Sequence, residues 1–335
     1  MNTKRRNHYD VTNTVRVSHS ADVCAAVKTI LARTYPDASL VPIDRAFDTF
    51  TRLYAGTLSG YAAGCDTWYH DAQHSLDCAL AMARLLDGHE RSCAPGKWLG
   101  SRRGVLGVII ALFHDSGYIR RDDDRVANGA EFTLSHVARS GEFLAQFLPR
   151  AGFAAEVDLT QQLVHFTGYE VALNRIGVSH PQDRMLGFLL GTADILAQTS
   201  DGCYLEKCRD YLYREFELCG LAGAGIPGGP KPIYSSVRDL LNKTPDYNRK
   251  LWEERLDGYF LGAYHCLEAH FGGANPYVEQ VRRNLGEIQR LIRNHRFKEL
   301  RKRPQVIGAA AMRQQLKPLR ASGRKPAAAR IHAAA

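Results

Sequence analysis

Long apolar runs are missing from this sequence: the longest, Val105 to Phe113, falls far short of the ~20 residues that cross a bilayer. The start, MNTKRRNHYD, holds no apolar stretch of the kind that directs export. A soluble, cytoplasmic protein with no membrane partner is therefore expected. The eight cysteines include no C-x-x-C pair, which excludes a zinc–thiolate site and, with no export signal, reads as reduced thiols used in packing. The chain has no P-loop, no G-x-G-x-x-G following a strand and no G-x-S-x-G elbow, so the common signatures of nucleoside triphosphatases, dinucleotide enzymes and serine hydrolases are absent. No segment alternates apolar and polar residues as a half-buried strand does, and no repeat is visible.

Charge is concentrated at one end. From Arg296 onward the chain carries eleven basic residues against one acid, Glu299, so the net +9 belongs to this segment and the remainder is close to neutral. Beyond about Arg301 the composition is dominated by Ala, Pro, Arg and Lys, and a disordered basic tail is expected over 301–335. Without aromatic interleaving, a solvated extension is the simpler reading than contact with nucleic acid.

What is present is helical periodicity, and the expected fold class is all-α. Apolar spacing predicts helices over Ser20 to Thr34 and Ile43 to Ala55. A third runs from an Asp66-Thr67 cap through WYHDAQHSLDCALAMARLL to about Leu86, and a nearly all-apolar one ends at Phe113 after a loop over Gly88 to Gly100. Thr133 is read as the cap of the helix holding His136. A short helix from Asp158 ends near His165, and a long one from Ser179-Pro181 contains Asp194. The glycine-rich stretch 220–232 separates this core from amphipathic helices over Ser235 to Asn242, Asp246 to Phe271 and Pro276 to Phe297. Four regions follow: an N-terminal helical extension (1–65), a core (66–218), C-terminal helices packing on it (219–300) and the tail.

The chemistry-bearing residues lie in that core. His114-Asp115 closes the apolar helix, and a His beside a carboxylate offers one cation a nitrogen and an oxygen while the Asp bridges to a second. His70 and His74 are four apart on one predicted helix. Asp194 sits among apolar residues and needs a cation or donors beside it, because an uncompensated buried carboxylate costs several kcal/mol. In chain order the donors are His74, His114, Asp115, His136, His165 and Asp194, a set that suits two neighbouring divalent ions.

The ordered pattern H…HD…D over residues 66–210 resembles the HD-domain superfamily of metal-dependent phosphohydrolases. YHDAQHS looks like the His-Asn-x-x-His segment of cyclic-nucleotide phosphodiesterases, and ADILAQTSDGCYLEK is similar to the helix that ends many HD domains. The resemblance implies an HD-type helical bundle in which His74, His114, Asp115 and Asp194 hold metal. It also implies that His136, in HVARSGEFL, and His165, in VHFTGYE, complete a second site as in the HD-GYP branch. Two departures are plain: Gly168-Tyr169-Glu170 stands in place of Gly-Tyr-Pro, and Tyr118 replaces a Lys after the HD pair.

The implied activity is hydrolysis of a small phosphodiester or phosphomonoester, of nucleotide type, by attack of a metal-bound hydroxide. Asp115 serves the metal centre, and His70 protonates the leaving oxygen. Two divalent ions are implied, with iron, manganese, zinc, cobalt and magnesium all compatible. Arg120 and Arg121 are candidates for binding phosphate and Tyr169 for stacking on a base. Glu131 is a candidate to orient a ligand histidine, whereas Glu206 and Lys207 read as an exposed charge pair. A di-iron oxygenase using the same six ligands and a non-catalytic nucleotide- or metal-binding module remain open alternatives.

Overall fold

Helix α3 (Ala72–Ser92) is the axis on which the other elements assemble, touching α1 (Ser20–Thr34), α4 (Gly100–Phe113), α7 (Pro181–Thr199) and α11 (Cys266–Phe271). Every residue from Ala72 to His89 is buried. Small side chains make this possible: a Cβ at Gly88 would lie 1.8 Å from the Cys266 carbonyl oxygen, so α11 approaches the α3 backbone through that gap. The structure, a computed structural model, describes residues 5–316. Over these the fold is all-α, with two isolated β-bridges and no strand. Among the described residues no helix is long and apolar enough to cross a membrane.

Through α7 the expected helices are present, with shifts at their ends that have local causes. Asp71, and not Asp66-Thr67, caps α3: its Oδ1 accepts from the backbone N–H groups of Gln73 and His74 at 3.0 and 3.2 Å. His70 therefore lies just outside the helix. At the other end α3 runs through Gly88 to Ser92, where a loop was expected. Ser135, not Thr133, precedes α5 (His136–Phe147), and Glu170 reaches back to accept from Val137 N and Ala138 N at 2.7 and 3.0 Å. After α6 (Val157–Leu163), His180 and not Ser179 precedes α7.

The chain then enters a helical segment comprising α8 (Tyr204–Lys207), a π-helical turn (Cys208–Leu212) and α9 (Tyr213–Leu218). Glu206 and Lys207, expected at the surface, are buried, and Lys207 Nζ pairs with Asp201 Oδ2 at 2.7 Å. Helix α10 (Val237–Lys250) passes through Pro245 and continues as a π-helix, Leu251–Tyr259. The expected continuous helix to Phe271 is broken instead at Leu261 and Gly262, both at positive φ.

Helix α12 (Pro276–Arg293) packs against α7, α8 and α10. One buried cation is well paired: Arg84 contacts Asp10 Oδ2 at 2.6 Å and the Tyr277 hydroxyl at 2.8 Å.

The expected disordered tail needs correction over 301–316. Composition there concealed a short apolar pattern, in which Ile307 and Met312 are buried and α13 (Ala309–Gln315) packs on α2 (Val41–Ala55). Ile307 also forms a two-way clasp with the start of α3. Its N–H donates to Asp71 Oδ2 at 2.7 Å and its carbonyl accepts from Ala72 N at 3.2 Å. The remainder of the expected tail, 317–335, lies outside the described residues.

Candidate metal centre

Three helices deliver the donors. His74 comes from the first turn of α3, His114 and Asp115 from the end of α4, and Asp194 from the inner face of α7. His114 Nδ1 donates to the Ala111 carbonyl at 2.8 Å, which orients the ring and turns Nε2 toward His74. Nε2 of His74 and Nε2 of His114 are 3.2 Å apart. Asp115 Oδ2 lies 3.4 Å from the first and 3.3 Å from the second. Asp194 Oδ1 lies 3.1 and 3.5 Å from the same two nitrogens.

These five separations can be compared with the edges of a coordination polyhedron. Bonds of about 2.0–2.1 Å to nitrogen and oxygen give donor–donor edges of roughly 2.9–3.4 Å. Asp115 Oδ2 is buried and has no hydrogen-bond partner, the kind of orphaned acceptor that a cation satisfies. His74, His114 and Asp115 form a compact buried group suited to holding one metal ion.

The pocket is strongly charged. Burial acts to lower the His114 pKa, yet the Asp115 charge overrides it and raises the value well above that of a free imidazole, so an ion taking Nε2 would displace a proton. Burial likewise opposes ionisation of Asp115 and Asp194, and the neighbouring imidazoles hold both carboxyl pKa values low. The pocket thus draws positive charge to its centre.

Asp115 also faces a third imidazole. His136 Nδ1 donates to the Thr133 carbonyl at 2.8 Å, and its Nε2 stands 3.6 Å from Asp115 Oδ1. Burial lowers the His136 pKa, favouring the neutral ring that a metal requires. Asp115 is therefore positioned between His74 and His114 on one oxygen and His136 on the other. His165 is not among the residues that meet there. Its Nδ1 is buried without a hydrogen-bond partner, and burial lowers its pKa.

His70 lies beside the group, its ring 6.2 Å from those of both His74 and His136. Tyr118 is fully buried and stacks on His70 at 4.5 Å and on His136 at 4.3 Å. Sequence reasoning missed the residue that holds His70. Glu215, on α9, contacts His70 Nδ1 through Oε2 at 2.6 Å, while its Oε1 accepts from Trp68 N and Tyr69 N at 2.7 and 2.6 Å. Burial tends to lower the His70 pKa, but Glu215 raises it above the ordinary value. No local motif marks Glu215, since its partner is 145 positions away. Gln198, one helical turn after Asp194, donates to Asp194 Oδ1 at 3.0 Å.

Other expected site residues take different roles. Arg120 binds Asp66 Oδ2 at 2.8 Å and the Val126 carbonyl at 3.1 Å, and Arg121 pairs with Glu142, so both guanidiniums hold the loop together. Glu131 closes a capping box with Asn128 and orients no histidine. Arg139 ties the loop to α5 by donating to the Gly117 carbonyl at 2.9 Å and pairing with Asp124. Tyr169 is 66% exposed, its ring covered on one side by Arg255 at 4.3 Å and its hydroxyl 3.2 Å from that of Tyr247. No protein-family model matches the chain, and no curated protein matches it.

Proposed function

We propose that the chain is an HD-type metal-dependent phosphohydrolase acting on a small phosphate ester of nucleotide type. One observation carries the reading: the Nε2 atoms of His74 and His114 lie 3.2 Å apart with a carboxylate oxygen of Asp115 and one of Asp194 each within 3.1–3.5 Å of both, and Asp115 Oδ2 has no hydrogen-bond partner.

His74, His114, Asp115 and Asp194 would hold a divalent ion, and Asp115 Oδ1 with His136 would begin a second site. Divalent ions bound there supply Lewis acidity toward a phosphoryl oxygen and acidify water. The chain's own contributions are positional and protonic. Gln198 fixes the Asp194 carboxylate, and the Ala111 and Thr133 carbonyls orient the His114 and His136 rings. His70, kept protonated by Glu215 and held by stacking on Tyr118, donates its proton to the departing oxygen.

The test is hydrolysis of bis-p-nitrophenyl phosphate by protein loaded with Mn²⁺, Co²⁺, Fe²⁺ or Zn²⁺. Turnover that disappears in His114→Ala and Asp115→Ala is expected. Metal-replete protein that cleaves no phosphate ester would overturn the reading, and oxygen consumption by an iron-loaded sample would move it to an oxygenase.

A further inference from the structure

A second cavity, of about 350 Å³, opens between α2 and the end of α5, and none of its lining residues belongs to the His/Asp centre. Arg45 and Arg52 from α2 and Arg150 from the turn after α5 line it, against one carboxylate, Asp48. All four are exposed. Three half-buried arginines elsewhere have close carboxylate partners: Arg103 with Asp183, Arg120 with Asp66 and Arg139 with Asp124, at 2.6–2.8 Å. Here Asp48 approaches Arg52 only at 3.9 Å, and Arg45 donates to the Arg150 carbonyl. Among the described residues neither Arg45 nor Arg150 has a carboxylate partner, so three guanidiniums face a single carboxylate and a net positive charge remains.

The lining also carries three aromatic rings. Tyr61 meets Phe143 edge to face at 5.8 Å, and Phe147 lies parallel to Phe143 at 6.5 Å. Guanidiniums around an aromatic surface match a ligand with phosphate at one end and a flat ring at the other. The volume falls in the range of small-molecule sites, about 300–1,000 Å³. We propose that this cavity binds a small polyanion carrying an aromatic ring, of the nucleoside phosphate class. Phe143 and Phe147 rest on Phe113 at 5.0 and 5.1 Å, and Phe113 directly precedes His114. An occupant would thus lie one packed ring from the His114-Asp115 pair.

Calorimetric titration of the full chain with ATP, and separately with inorganic triphosphate, tests this. The expected result is ATP binding that weakens about ten-fold or more in Arg52→Glu and in Arg150→Glu and persists in Asp115→Ala. Triphosphate, lacking the ring, should bind more weakly, and Tyr61→Ala should weaken ATP but not triphosphate. Both arginines are exposed, so the charge reversals should leave the thermal melt unchanged. ATP binding that is absent, indifferent to both reversals or lost in Asp115→Ala would overturn the assignment. Triphosphate binding as tight as ATP would overturn the aromatic part of it.

Discussion

His70 and Glu215 form a buried pair, Nδ1 to Oε2 at 2.6 Å, in which the same carboxylate also collects the backbone N–H groups of Trp68 and Tyr69. One side chain therefore shapes the 68–70 turn and sets the charge on the imidazole. Replacing His70 by Ala should separate two kinds of substrate. Bis-p-nitrophenyl phosphate has a leaving group that needs no proton and should be cleaved almost normally, whereas a nucleotide ester with an alcohol leaving group should lose about 10²-fold or more. Steady-state kinetics on the two substrates check this, and an equal loss on both would remove His70 from proton transfer.

The same pair predicts a pH dependence of stability. The folded His70 pKa lies above its ordinary 6.5. A raised pKa contributes stability that is complete below the unfolded value and is lost as pH climbs through the folded one. Urea unfolding of wild type and Glu215→Gln at about pH 5.5 and about pH 9 should therefore show the larger difference at the acid end. A difference that grows toward alkaline pH would contradict the assignment.

Metal should behave as a folding ligand. Elemental analysis of freshly purified protein should find about one to two divalent ions per chain, falling toward zero in His114→Ala. A free ion at about a hundred times its Kd adds about 2.7 kcal/mol, which a chain of this length registers as a few degrees in Tm. Melting curves with and without a chelator measure the shift.

Gly117 brings the turn after His114-Asp115 against the His136 helix. A Cβ there would lie 1.9 Å from the His136 carbonyl oxygen. Gly117→Ala should cost about 1–3 kcal/mol through overpacking and should separate Asp115 from His136. Metal titration should then show loss of the weaker ion before the tighter one.

Much of this was legible in advance because it depends on local period. The spans of α1, α2 and α7 follow apolar spacing, and the need for donors around Asp194 follows from a carboxylate set among Ala193, Ile195 and Leu196. What was not legible depends on distant partners. Asp71 replaced Asp66-Thr67 as the cap because its second oxygen is claimed by Ile307, and that choice moved His70 out of the helix. Lys207 is buried because Asp201 neutralises it, which a charge pattern cannot show. Glu215 lacked any sequence signal. The basic stretch after Arg301 hid two anchoring apolar residues, Ile307 and Met312, inside a composition typical of unstructured chain.

The Asp71–Ile307 hydrogen bond spans 236 positions, and this separation orders events during synthesis. The helix bearing His74 leaves the ribosome early, and its cap stays half-made until residue 307 has followed it out. Nascent chains cut before that point should bind metal poorly however completely their ligands have emerged, so the centre matures late although its donors are translated first.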